Sequence, residues 1–101
     1  MEINKIIDNE VCKLQLSGRL DTTTAPMLEE ELKATLNDQV KKLEIDMAEL
    51  EYISSAGLRV LLFAQKTVNG FEGEMVIRNV KPEIMEVFEI TGFSDILTIE
   101  E

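Results

Sequence analysis

Apolar and polar residues alternate along this chain in short bursts, and between the bursts the spacing changes to three or four. Ile3 to Ile7 is a β-branched run that predicts a first strand. Asp8-Asn9 follows, a pair suited to the positive-φ positions of a tight turn. From Val11 to Ser17 the alternation is strict, with Cys12, Leu14 and Leu16 on one face and Lys13, Gln15 and Ser17 on the other. Two strands joined by two residues make an antiparallel hairpin. Gly18-Arg19-Leu20-Asp21-Thr22-Thr23-Thr24 then breaks the pattern.

Ala25, Leu28, Leu32 and Leu36 next fall on one helical stripe. Pro26 sits in the first turn, where a missing N–H costs nothing. Glu29, Glu30 and Glu31 are expected near the positive end of the helix dipole, and Asn37-Asp38 ends the helix. Leu43, Ile45 and Met47 predict a third strand, and Ala48 to Ile53 a loop. Leu58 to Val68 is apolar on most sides, the mark of a deeply buried second helix. Asn69-Gly70 is expected to stop it with a left-handed cap. Met75, Val76 and Ile77 predict a fourth strand. Lys81-Pro82 opens a third helix with the stripe Ile84, Val87 and Phe88, closed by Gly92. Ile96, Leu97 and Ile99 predict a last strand.

The order β-β-α-β-α-β-α-β implies an α/β fold, a mixed, mostly parallel sheet with helices packed on it through right-handed crossovers. Strand-to-helix loops of parallel strands share one end of the sheet. Asp21–Thr24 and Tyr52–Gly57 should therefore be neighbours, where α/β folds place their sites.

The length of 101 residues suits one domain, residues 1–101, and 45% hydrophobic residues can fill one core. Ten Lys plus Arg against twenty Asp plus Glu give a net charge of −10. That charge opposes binding to a phosphate backbone or an anionic bilayer, so nucleic acid is not an expected partner. No apolar stretch nears the ~20 residues that span a membrane, so direct membrane insertion is not expected. The opening Met-Glu-Ile-Asn-Lys lacks a secretory pattern, and a cytoplasmic location is expected.

Without histidine, Ser55 has no imidazole base, and no Ser-x-x-Lys pairing accompanies it. Gly-rich phosphate loops and ligand-like acidic spacings are missing too. No cofactor, metal or catalysis is therefore expected. Cys12, the single cysteine, belongs to a buried strand face. Met27, Met47, Met75 and Met85 suit core filling.

Ser54-Ser55-Ala56-Gly57 admits two compatible readings. One serine can be an N-cap, its hydroxyl accepting a backbone N–H. An exposed serine at a helix start can also carry a phosphate, which the unpaired N–H groups and the dipole favour there. Asp21, Thr22, Thr23 and Thr24 read equally as a turn-and-cap cluster or as partner contacts. Glu49 and Glu51 flank this region as plain surface or as contacts for a basic partner.

Tyr52-Ile53-Ser54-Ser55-Ala56-Gly57-Leu58 resembles the signature of the STAS domain, shared by bacterial anti-sigma factor antagonists and sulfate transporter tails. Gly18-Arg19-Leu20-Asp21 followed by Thr22-Thr23-Thr24-Ala25 resembles the family's first loop. The resemblance covers nearly the whole chain. It implies a STAS fold and a phosphorylation switch whose unmodified form binds an anti-sigma factor with serine kinase activity and so frees a sigma factor. A PP2C-type phosphatase would restore that form. The family's phosphoacceptor falls on Ser55, with Ser54 as the alternative; Ser54 stands where the sporulation members often carry aspartate. Partner contacts would come from Asp21, Thr22, Thr23, Thr24, Ser54, Ser55, Ala56 and Gly57. The other implied role is an unphosphorylated STAS module, a scaffold in a signalling assembly or a cytosolic subunit of a transporter.

Overall fold

The computed structural model describes residues 1–100; Glu101 lies outside the described residues. Strands β1 (Glu2–Asp8) and β2 (Val11–Leu20) lead to helix α1 (Ala25–Thr35), strand β3 (Lys42–Ile53) and helix α2 (Ser55–Gly70). Strand β4 (Glu74–Arg78), helix α3 (Pro82–Thr91), a 3-10 turn (Phe93–Asp95) and strand β5 (Ile99–Glu100) follow among the described residues. The sheet order is β1-β2-β3-β4-β5, with only the β1–β2 pair antiparallel. This is the mixed, mostly parallel α/β architecture that the alternation of periods predicts.

Each parallel crossover steps one strand in the same direction, so right-handedness puts all three helices on one face. Cys12, Leu14, Leu16, Leu43, Ile45, Met47, Met75 and Ile77 point to that face. They form one core with Leu28 and Leu32 of α1, Leu61, Ala64 and Val68 of α2, and Ile84 and Phe88 of α3. The opposite face carries no helix and is largely polar, although Val76 lies buried there among its neighbours' side chains. There Glu44 lies 3.8 Å from Lys13, 3.4 Å from Lys42 and 3.5 Å from Arg78. Arg78 also meets Glu100 at 2.9 Å.

The main departures from the sequence expectation share a cause. Ala48 to Ile53 is strand, not loop, and β2 runs on past Ser17 to Leu20. Between Gln15/Ser17 and between Gly18/Arg19, β3 carries an extra residue relative to β2. These bulges stretch the buried spacing in β3 to Met47, Leu50, Ile53, a period of three that does not read as a strand. Gly18 absorbs part of the distortion at φ 94°, where a side chain would be strained.

Smaller corrections are local. The hairpin turn is Asn9-Glu10, closed by the pair Asp8 and Val11, and Asn9 takes φ 55°. In α1, Thr35 is buried in place of Leu36, which has already left the helix. Glu29 to Glu31 lie beyond the first turn, which holds no acidic residue. Asn69 and Gly70 are helical; the left-handed residue is Glu72 at φ 62°, and the Gly73 N–H closes on the Val68 carbonyl at 2.9 Å. In α3 the buried residues are Ile84 and Phe88, with Val87 only partly covered. Gly92 does cap α3, at φ 82°. The last strand starts only at Ile99, leaving Ile96 exposed and Leu97 buried in an irregular approach. Met27 is 42% exposed rather than core.

Candidate functional site

Because β2 and β3 are parallel neighbours, the segments that leave their C-terminal ends meet. Leu20 pairs with Ile53 in register, and the Ser54 N–H donates to the Leu20 carbonyl at 2.9 Å. That bond ties the β2–α1 loop to the start of α2.

The loop closes around one carboxylate. Asp21 Oδ1 accepts the Thr23 N–H at 3.0 Å, the Thr23 hydroxyl at 2.8 Å and the Thr24 N–H at 3.1 Å. In return the Asp21 N–H donates to Thr24 Oγ1 at 2.8 Å, and the Thr24 hydroxyl donates to the Arg19 carbonyl at 2.8 Å. The Asp21 carbonyl accepts the first helical N–H, that of Ala25, at 2.8 Å. The Thr23 hydroxyl first, and then the Thr24 and Thr23 N–H groups, hold the Asp21 carboxyl below the usual carboxylate range. Thr24 occupies the N-cap position of α1 without a side-chain cap bond, because its hydroxyl is engaged in the loop. Thr22 is exposed and joins none of these bonds.

At the second segment the two serines separate. Ser54 is the N-cap of α2, in extended backbone, and its Oγ accepts the Gly57 N–H at 3.3 Å. Ser55 is the first helical residue and is exposed, with no side-chain hydrogen bond to any described residue. Ala56 is partly buried against the core. Gly57 is buried, and a Cβ there would stand 2.7 Å from Leu20 Cγ and 2.9 Å from Ile53 Cγ1. The first turn of α2 is thus seated directly on the ends of β2 and β3, which aims its N–H groups and Ser55 outward.

Around this junction the structure adds residues that the sequence reading quoted but gave no role. The Arg19 guanidinium stacks 4.1 Å above the Tyr52 ring and lies 3.8 Å from Asp21 Oδ2. Tyr52 is 40% exposed. Arg19 stands opposite Tyr52 in register only because of the two bulges, so strand spacing in the sequence holds no sign of the pair. Glu49 and Glu51 are exposed on the same end of β3. Cys12 is fully buried on the helix face, and burial pushes its thiol pKa up. Among the described residues no three acidic, thiol or imidazole groups cluster as metal ligands would. No helix of the described chain is long and apolar enough to cross a membrane.

Residues 2–101 match the family model of the STAS domain. BtrV of Bordetella bronchiseptica, described as an anti-sigma factor antagonist, is 40% identical over 84 residues, covering 83% of this chain and 72% of that one. The anti-sigma-B factor antagonist of Listeria monocytogenes is 32% identical over 93 residues, 92% of this chain and 82% of its own. In three dimensions the chain is similar to the anti-sigma factor antagonist SpoIIAA in its unphosphorylated form, with TM-score 0.78 and 17% identity over 99% of this chain and 88% of that one. The phosphorylated form of SpoIIAA from Bacillus gives TM-score 0.77 at 16% identity, over 99% of this chain and 92% of that one. Family model, relatives and fold agree: the chain belongs to the STAS domain family, among its anti-sigma factor antagonists, which are regulators rather than enzymes.

Proposed function

We propose that this protein is a partner-switching regulator whose unmodified form binds an anti-sigma factor with serine kinase activity, and that phosphorylation of Ser55 ends that binding. A PP2C-type phosphatase resets the switch. The observation that carries the reading is the division of labour at the start of α2. Ser54 spends its hydroxyl on the Gly57 N–H, while Ser55 stands exposed with its hydroxyl unused. A kinase reaches Ser55 without breaking the cap, and the helix terminus favours the added negative charge. The rigid Asp21–Thr24 loop and Ala56-Gly57 frame that serine and supply the rest of the partner contact.

The phosphate acts through charge and bulk rather than refolding. It adds about −1.5 to −2 charge at a surface that already carries Asp21, Glu49 and Glu51. The test is intact-mass analysis after incubation with ATP and soluble bacterial extract shown to contain active serine kinases. One phosphoryl group on the wild type and none on Ser55→Ala is the expected result. Modification of both proteins moves the acceptor to Ser54. Modification of neither favours the unphosphorylated STAS module.

A further inference from the structure

Ser55 is the first residue of α2, and Arg59 follows it at i+4 on the same helix. Both are exposed. Residues at i and i+4 share a helix face, with about 5–6 Å between their Cβ atoms. Each Cα–Cβ bond tilts toward the helix N-terminus, so a long side chain covers the turn before its own. An Arg59 side chain extended in that direction has position 55 within reach.

The Arg59 guanidinium is also uncommitted. It forms no ion pair with any described residue; Lys41, Lys66 and Lys81 are likewise unpaired, but only Arg59 sits one turn from Ser55 on the same helix. The next cation along α2 is Lys66, about two turns further on. The corresponding i+4 neighbour of Ser54 is Leu58, which is buried in the core. The placement thus singles out Ser55 from the adjacent serine.

Resting on the reading of Ser55 as phosphoacceptor, we infer that Arg59 is the built-in counter-ion of phosphorylated Ser55. An anion N-terminal to a cation at i,i+4 is the favourable order on a helix. A guanidinium matches two phosphate oxygens with parallel N–H groups. Phosphorylation would then alter the partner surface twice, adding an anion at position 55 and withdrawing a free cation at position 59. Other charged groups at this end of the sheet include Arg19 and Asp21 beside the loop, Glu49 and Glu51 on β3, and Lys81 and Glu83 at the start of α3. Arg19 is already held between the Tyr52 ring and Asp21, which makes it the natural control.

The experiment installs phosphoserine at position 55 during translation, in the wild type and in Arg59→Gln, Arg59→Lys and Arg19→Gln. The second ionisation of the phosphate is then followed by phosphorus NMR. A paired guanidinium favours the dianion and lowers that midpoint. Arg59→Gln should raise it by about 0.3 pH unit, Arg59→Lys by less, and Arg19→Gln should leave it in place. An unchanged midpoint in Arg59→Gln, with native circular dichroism, overturns the inference. So does an equal rise in Arg19→Gln, which would report the general field instead of a pair. Because the phosphate is built in, the result does not depend on whether a kinase modifies Ser55. A shift here with no phosphorylation in extract would remove the switch and leave the pair.

Discussion

The β2–α1 loop and the start of α2 sit side by side, draw on the same kinds of residue, and use them in opposite ways. In Asp21–Thr24 nearly every polar group is consumed internally: Asp21 Oδ1 takes three donors from Thr23 and Thr24, and the Thr24 hydroxyl is anchored on Arg19. At the start of α2 a single hydroxyl, that of Ser54, does the structural work and Ser55 is left over. One segment is tied up in its own hydrogen bonds, and the other leaves a hydroxyl exposed, as the proposed switch requires. The difference teaches that residue type alone does not mark a functional hydroxyl. What separates the two serines is backbone position: Ser54, extended and outside the helix, reaches the Gly57 N–H, whereas Ser55 is already helical and its hydroxyl bonds no described residue.

The sharpest way to break this arrangement is Gly57→Ala. In a helix interior alanine gains up to ~1 kcal/mol over glycine. Here its Cβ would stand 2.7 Å from Leu20 Cγ and 2.9 Å from Ile53 Cγ1, and both neighbours are core residues with little room to move. Overpacking of that kind costs about 1–3 kcal/mol, so the clash should win and the variant lose stability in urea unfolding. A variant as stable as the wild type would mean that α2 shifts freely on the sheet.

Next in size is Ser54→Ala. Removing an N-cap costs about 0.5–2 kcal/mol. The long 3.3 Å bond to Gly57 places the effect toward the low end. Thermal unfolding should show a fall of a few degrees, recovered in Ser54→Asp, because aspartate caps equally well. If Ser54→Ala were neutral and Ser55→Ala destabilising, the assignment of cap and free hydroxyl would be reversed.

How much of this was legible in the sequence follows from the same physics. Regular segments announced themselves: the Cys12-Leu14-Leu16 alternation, the Pro82 start and the Gly92 stop of α3 are all local signals, and the structure agrees with each. The stretch from Ala48 to Ile53 did not, because bulges in β3 replace the strand period with a three-residue spacing. The end of α2 was hidden for another reason. Asn69-Gly70 looks like a cap, but the left-handed conformation is taken by Glu72. At the site, the serine pair and the Asp21–Thr24 cluster stood out as motifs. Which serine caps was not legible, since both sit within reach of early helix donors and only the backbone at Ser54 decides.

A smaller effect, confined to acid, tests the frame. Asp21 has its carboxyl lowered below the usual range, chiefly by the Thr23 hydroxyl. A depressed folded-state pKa means that this group stabilises the fold above its unfolded value, near pH 4. That contribution is lost as the pH falls through the lower, folded value. Asp21→Asn keeps a side-chain acceptor but cannot titrate. Its stability should therefore fall less steeply below pH 4 than that of the wild type, with the two curves parallel above about pH 5. Identical acid limbs would mean that the loop's hydrogen bonds do not depend on the charge.

Ser55→Ala should have the least effect of all on stability. The side chain is exposed and makes no hydrogen bond to a described residue, and alanine is the best helix former. Exposed substitutions of this kind stay within about 0.5 kcal/mol. The midpoint in urea should coincide with the wild type, and the circular dichroism spectrum should be unchanged. That near-zero value is the informative contrast with Ser54→Ala. A position that costs nothing to alter, next to one that holds the helix start together, can be modified and restored without unfolding the seat that presents it. A loss approaching that of Ser54→Ala would show instead that Ser55 belongs to the frame, and a phosphate there would have to disturb the fold.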